Sequence, residues 1–109
     1  MKAISIIPGE PAKVIEIKNT LGALQGYVGG YIEVVGFPYL VNVLMIVNEV
    51  GKLHGMQYNF PLPNKDYIVG PCLVVGLKGE NFTDLTDDQI LAIENRMESV
   101  RELQCWEEL

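Results

Sequence analysis

Alternation of apolar and polar positions opens the chain. Lys2-Ala3-Ile4-Ser5-Ile6-Ile7 predicts a strand, stopped by Pro8-Gly9-Glu10-Pro11, a run of turn formers in which Pro11 has no N–H to give a ladder. Lys13-Val14-Ile15-Glu16-Ile17-Lys18 resumes the period-two pattern, so the two segments form a hairpin or neighbouring strands. The period then changes. Leu21, Leu24 and Val28 share one helical face, Asn19 or Thr20 offers an oxygen to the free N–H groups of the first turn, and Gly29-Gly30 supplies a left-handed stop. Gly22 and Gly26 each weaken such a helix by about 1 kcal/mol relative to alanine, so packing has to hold it.

Tyr31-Ile32-Glu33-Val34-Val35 is β-branched and reads as a strand with Glu33 at an edge or facing solvent. After a Gly36–Tyr39 loop, Val41–Val47 is the most apolar run and predicts a central strand. Asn48-Glu49-Val50-Gly51-Lys52 reads as a hairpin turn with Gly51 at positive φ, and Lys52–Tyr58 as a short return strand or irregular segment. Phe60-Pro61-Leu62-Pro63-Asn64 is proline-dense and predicts a loop. Tyr67–Leu77 is a strand region bent at Gly70-Pro71, and Lys78-Gly79-Glu80-Asn81 turns the chain. Thr86-Asp87-Asp88-Gln89 is a capping box with two aspartates at the positive end of a helix. Ile90, Ile93 (with Leu91 beside it), Met97, Val100 and Leu103 follow at helical spacing, with Glu94, Glu98, Arg101 and Glu102 on the other sides. The expected fold is α+β: a mixed, largely antiparallel sheet of about five or six strands, a short helix after strand two and a longer amphipathic C-terminal helix.

Composition narrows this picture. A chain of 109 residues, 49% apolar, is expected to form one domain over 1–109, with fraying confined to 104–109. Cys72 and Cys105 make no disulfide framework, and the lone His54 has no partner at zinc spacing, which together suit a reducing cytoplasm. Pro8 ends the first apolar patch too early for a signal sequence, and Leu40–Val47 is far short of a membrane span. Charge is unevenly placed: residues 1–79 hold five acids and six lysines, whereas residues 80–109 hold nine acids against Arg96 and Arg101. Such a tail repels phosphates, so direct nucleic-acid binding is not expected. It suits a solvated helix face or a basic partner.

No catalytic set assembles from these residues. His54 and Cys72 are the one nucleophile–base pair that can be constructed, and a cysteine in an apolar strand reads as packing. Asp84, Asp87 and Asp88 lack calcium-loop spacing and are accounted for by capping, so neither metal nor cofactor is expected. Gly26-Tyr27-Val28-Gly29-Gly30 has no following Gly-Lys-Ser/Thr and opens no helix, so it fails as a phosphate cradle, as does Gly51-Lys52-Leu53. What remains is a polar group, Asn48, Glu49, Lys52, His54, Gln57 and Asn59, bracketed by Tyr58 and Phe60. Amides beside aromatic rings can read a planar ligand, or can simply serve turns. Asn48, Glu49, Lys52, His54 and Asn59 are the candidate ligand-binding residues.

The runs Leu24–Val35, Val47–Met56 and Ile68–Gly76, with Asn59 between them, carry the combined pattern GGYIE…NE-x-GKL-x-G…N…I-x-G…VVG. That pattern resembles the domain of unknown function 3846 family over roughly residues 2–95. The resemblance implies a setting, the accessory proteins of phages and plasmids in bacteria, and no assigned reaction or cofactor. The expected role is therefore non-enzymatic: binding or sequestering a host component, with counter-defence as the purpose. Glu94, Glu98, Glu102 and Trp106 are the candidate partner-binding residues. The alternative is a small-molecule, nucleotide-like ligand or a weak hydrolase site within Asn48–Asn59. Trp106 either anchors a homodimer or packs on its own core, and the sequence leaves both open.

Overall fold

The computed structural model describes residues 1–101, so Glu102, Leu103, Trp106 and the 104–109 end lie outside the described residues. The architecture is α+β. Its elements are β1 (Lys2–Ile6), β2 (Lys13–Glu16), α1 (Leu21–Val28), β3 (Ile32–Gly36), β4 (Val43–Asn48), β5 (Tyr58–Leu62), β6 (Asp66–Val69), β7 (Cys72–Lys78), β8 (Asn81–Thr83) and α2 (Asp87–Arg101). Six strands form one sheet in the order β2-β1-β7-β4-β3, with β8 on β7, and β5 and β6 form a separate two-stranded ribbon. Every strand pairing among the described residues is antiparallel, in line with the largely antiparallel sheet expected from the sequence.

The central strands β1, β4 and β7 are buried at consecutive positions because both faces of the sheet are covered. On one face, Ala3, Ile46, Leu73 and Val75 pack with Leu24 and Val28 of α1. On the other, Ile4, Ile6, Met45, Val47, Cys72 and Val74 pack beneath α2 and the ribbon, which contribute Ile93, Met97, Val100, Phe60, Leu62 and Ile68. The result is three layers, helix on sheet on helix-plus-ribbon.

Helix ends follow the local sequence. Thr20 caps α1 by accepting from Ala23 N at 3.2 Å. Gly29, at φ +79°, ends it, with Gly29 N and Gly30 N both donating to Gln25 O. The capping box of α2 closes in both directions: Gln89 N donates to Thr86 Oγ1 at 3.1 Å and Thr86 N to Gln89 Oε1 at 2.9 Å.

Four expectations are corrected. Of the two readings of Lys52–Tyr58, return strand or irregular segment, the strand is set aside for residues 52–57. His54 N donates to Val50 O, Gly55 N to Lys52 O and Met56 N to Gly51 O, one helical turn ended by Gly55 at φ +68°, so Gly55 and not Gly51 takes positive φ. The proline-dense 60–64 segment is largely strand, β5. Pro61 fits because both members of a two-stranded ribbon are edges, and Phe60 and Leu62 are buried against the sheet. The 67–77 region is two strands in two different sheets, parted at Gly70 with φ +67°. Finally, Asn81–Thr83 continues past its turn as β8, a strand of three residues.

Candidate functional site

Three structural pieces meet at one end of the ribbon. Edge strand β3 and its neighbour β4 supply Glu33, Val35 and Val47. The helical turn after β4 supplies Glu49 and Lys52. The ribbon supplies Leu62, Asp66, Tyr67 and Ile68. Together they enclose a cleft of about 380 Å³, a size that suits a small ligand or one or two side chains of a larger one.

The turn is held rigidly. Asn48 Oδ1 accepts from Val50 N at 2.9 Å, starting the turn, while its Nδ2 donates to Val28 O at 3.2 Å and satisfies a carbonyl at the end of α1. Gly30 makes room for this amide, since a Cβ there would come within 2.9 Å of Asn48 Nδ2. Gly51 is pressed between Val69 and Met56. Lys52 then projects to the ribbon: its ammonium lies 2.6 Å from Asp66 Oδ1 and 4.3 Å from the centre of the Tyr67 ring. The hydrogen bond from Lys52, and then that from Tyr67 N, hold the Asp66 carboxyl below its ordinary range. Glu33, Glu49 and Asp66 thus place three carboxylates around the cleft against the single ammonium of Lys52.

The expected ligand residues divide. Glu49 and Lys52 line the cleft with exposed side chains, and Asn48 lines it as a buried turn former. His54 is exposed on the turn and is not part of the lining. Asn59 is elsewhere. A bulge between Tyr58 and Phe60 turns it toward β1 and α2, where its Nδ2 donates to Ile6 O at 2.9 Å and Gly70 O at 2.8 Å. The polar group read from the sequence is therefore not one surface. Of the expected partner residues, Glu94 and Glu98 are exposed on α2 and border a groove with Pro11, Met97 and Arg101. Glu102 and Trp106 fall outside the described residues.

Sequence reasoning misses Asp66 and Tyr67 as site residues and sees in Glu33 only an edge or solvent position. Glu33 does carry a signal, a lone acid in a β-branched strand. Asp66 and Tyr67 carry none, because nothing local announces the ribbon that delivers them.

Nucleophilic chemistry finds no support at Cys72. The thiol is fully buried in β7, burial pushes it up to about 12, and His54 is out on an exposed turn. Gly26–Gly30 forms the C-terminal end of α1, the negative end of the helix dipole, where a phosphate is disfavoured. Among the described residues, no three His, Cys, Asp or Glu side chains converge as metal ligands. Nor is any described helix long and apolar enough to cross a membrane.

Residues 1–98 match the family described as Domain of unknown function (DUF3846). The chain belongs to that family. No curated protein and no solved structure matches it. The glycine and asparagine residues that carry the DUF3846 resemblance have structural tasks. Gly29 and Gly55 stop helical turns, Gly30 and Gly51 admit close neighbours, and Asn48 and Asn59 satisfy buried carbonyls. Within the same DUF3846 pattern, Glu33, Glu49 and Lys52 instead face the cleft.

Proposed function

We propose that this protein is a non-enzymatic accessory protein of a mobile element that binds a host component, and that the Glu33–Glu49–Lys52–Asp66 cleft is where it binds. The mobile-element setting and a counter-defence purpose rest on the family resemblance. The binding role rests on the cleft. One observation carries it: three carboxylates surround apolar walls, while the only lysine of the lining is already engaged by Asp66 and lies over the Tyr67 ring. That arrangement favours a positively charged group with an apolar stem, as a lysine or arginine side chain of a host protein presents, and it disfavours a phosphate.

Two-dimensional NMR titration tests this with Nα-acetyl-lysine amide and Nα-acetyl-arginine amide as probes, set against adenosine monophosphate. The cationic probes are expected to shift the amides of Glu33, Glu49, Lys52 and Tyr67, and Glu33→Lys/Glu49→Lys to remove the response. Reversing Glu94 and Glu98 of α2 together with Glu102 leaves it intact. A response to the nucleotide alone would support the small-molecule reading instead, and loss of binding on reversing the helix charges would move the site to α2.

A further inference from the structure

Strand β3 ends the sheet, and its open side is available backbone. Tyr31 O accepts from Glu49 N at 2.9 Å and Phe37 N donates to Val43 O at 2.9 Å, so both residues face β4. The β3–β4 register is unbroken from Ile32 to Gly36. Alternation then turns the N–H and C=O groups of Ile32, Val34 and Gly36 away from β4, toward the open edge.

The two edges of the sheet are built differently. Four-residue β2 follows Pro11, carries Lys13 and Glu16, and has Lys18 two residues beyond it, the usual protection against strand addition. Five-residue β3 has no proline, no lysine and no bulge, and Val34 and the preceding Tyr31 are 44% and 73% exposed. Its only charge is Glu33, which points into the cleft.

We propose that β3 is a docking edge for an extended, basic segment of a partner protein, which joins the sheet as an additional strand and sends alternate lysine or arginine side chains into the cleft. This rests on the binding role proposed for the cleft and adds the form in which the charge arrives. A strand added at about 4.8 Å from β3 sets every second side chain beside Glu33 and Val35, on the cleft side. The intervening side chains lie beside Ile32, Val34 and Gly36, on the α1 side, where apolar residues fit. The motif recognised is thus an alternation of basic and apolar residues. A second copy of this chain is the weaker occupant, because its β3 brings another Glu33 to an acidic cleft on a protein of net charge −6.

Amide hydrogen exchange with a synthetic heptapeptide alternating valine and lysine tests the proposal, alongside its valine–glutamate counterpart. Two N-methylated versions of the basic peptide, one for each alternating frame of amides, complete the set. Exchange at Ile32, Val34 and Gly36 is expected to slow with the basic peptide and not with the acidic one. Only one methylated frame should lose the effect, the one whose N–H groups face β3. Val34→Pro, which removes an outward N–H while sparing the bonds to β4, is expected to weaken binding about fivefold, the worth of roughly one hydrogen bond. If Val34→Pro fails to fold, the methylated peptides answer alone. Shifts at Glu49 and Lys52 without protection of β3 would overturn strand addition and leave the cleft reading standing. No response anywhere would sink both. Equal protection by the acidic peptide, or protection that rises with protein concentration alone, would overturn the basic partner.

Discussion

The guanidinium of Arg101, on the last described turn of α2, donates to the side-chain oxygen of Asn59 on the ribbon and to Ile7 O at 2.8 Å beyond the end of β1. Asn59 in turn donates to Ile6 O and Gly70 O, so one amide and one guanidinium join helix, ribbon and sheet. Asn59→Ala strands two carbonyls and removes an acceptor from the arginine at a site where the asparagine is buried. We expect a loss of about 2–4 kcal/mol, at roughly 1–3 kcal/mol for each buried group left unsatisfied. Arg101→Ala, at a half-buried position whose carbonyl partner Ile7 is open to water, should cost clearly less. Urea unfolding of both variants checks the order, and a larger loss for Arg101→Ala would make the guanidinium, not the amide, the principal tie.

Gly30 and Asn48 form a second coupled pair. A methyl on Gly30 would sit 2.9 Å from Asn48 Nδ2, which is fixed by its bond to Val28 O. Gly30→Ala must therefore displace that amide, at roughly 1 kcal/mol for one hydrogen bond disturbed. In an Asn48→Ala background the space is open and the same substitution should be close to neutral. A double-mutant cycle by denaturant unfolding reads the difference. Additive effects would show that the contact carries no strain.

These two pairs also show which parts of the molecule are legible in the sequence. The Thr20 cap, the Gly29 stop and the Thr86–Gln89 box are local, each decided within a few residues, and each reads directly from composition and spacing. The ribbon is not local. Phe60-Pro61-Leu62-Pro63 has the composition of a loop, and only the sheet beneath explains why Phe60 and Leu62 are buried strand residues. An asparagine shows two donors and an acceptor in the sequence, but not whether a ligand or a backbone carbonyl will meet them. Asn48 and Asn59 group with Lys52 in the sequence for that reason, and the fold separates them by purpose. Asp66 joins Lys52 across fourteen residues only because the ribbon turns back at Pro63–Lys65.

Alkaline stability responds to two acids, half-buried Tyr27 on the α1 side and fully buried Cys72 in the core. Burial pushes the Tyr27 hydroxyl, bonded to Ser5 Oγ at 2.6 Å and to Cys72 O at 3.2 Å, up to about 12 from 10.0. Burial likewise pushes the Cys72 thiol up to about 12 from 9.0. Folding favours the protonated form of each group. Stability is therefore complete below the unfolded values and falls as pH rises through them toward about 12. Thermal midpoints should decline from about pH 9 upward. Tyr27→Phe should flatten the part above pH 10, from a lower plateau because Ser5 and Cys72 O lose a partner. Cys72→Ala should flatten the part that begins near pH 9. Wild-type and variant profiles that run parallel would refute this assignment.

The cleft has an acid limb of the opposite sign. Asp66 accepts from Lys52 Nζ at 2.6 Å and from Tyr67 N at 2.8 Å, and both bonds hold its folded-state pKa below 3.8. Its contribution is present above the unfolded value and is lost as pH falls through the folded one, so the window lies below 3.8. The pair is exposed, at 49% and 56% of its side-chain surface, which limits the effect to about 0.2–1 kcal/mol. Asp66→Asn should cost this amount near neutral pH, and the gap to wild type should close as pH drops below 3.8. Raising salt at neutral pH should narrow the same gap, since the charges are within reach of counter-ions. With Asp66 gone, Lys52 is released from its carboxylate and the cleft loses a negative charge, so Nα-acetyl-lysine amide should bind more weakly to Asp66→Asn than to wild type. Stronger binding would refute a role for the Asp66 carboxylate in holding Lys52 aside and drawing the ligand's cation into the cleft.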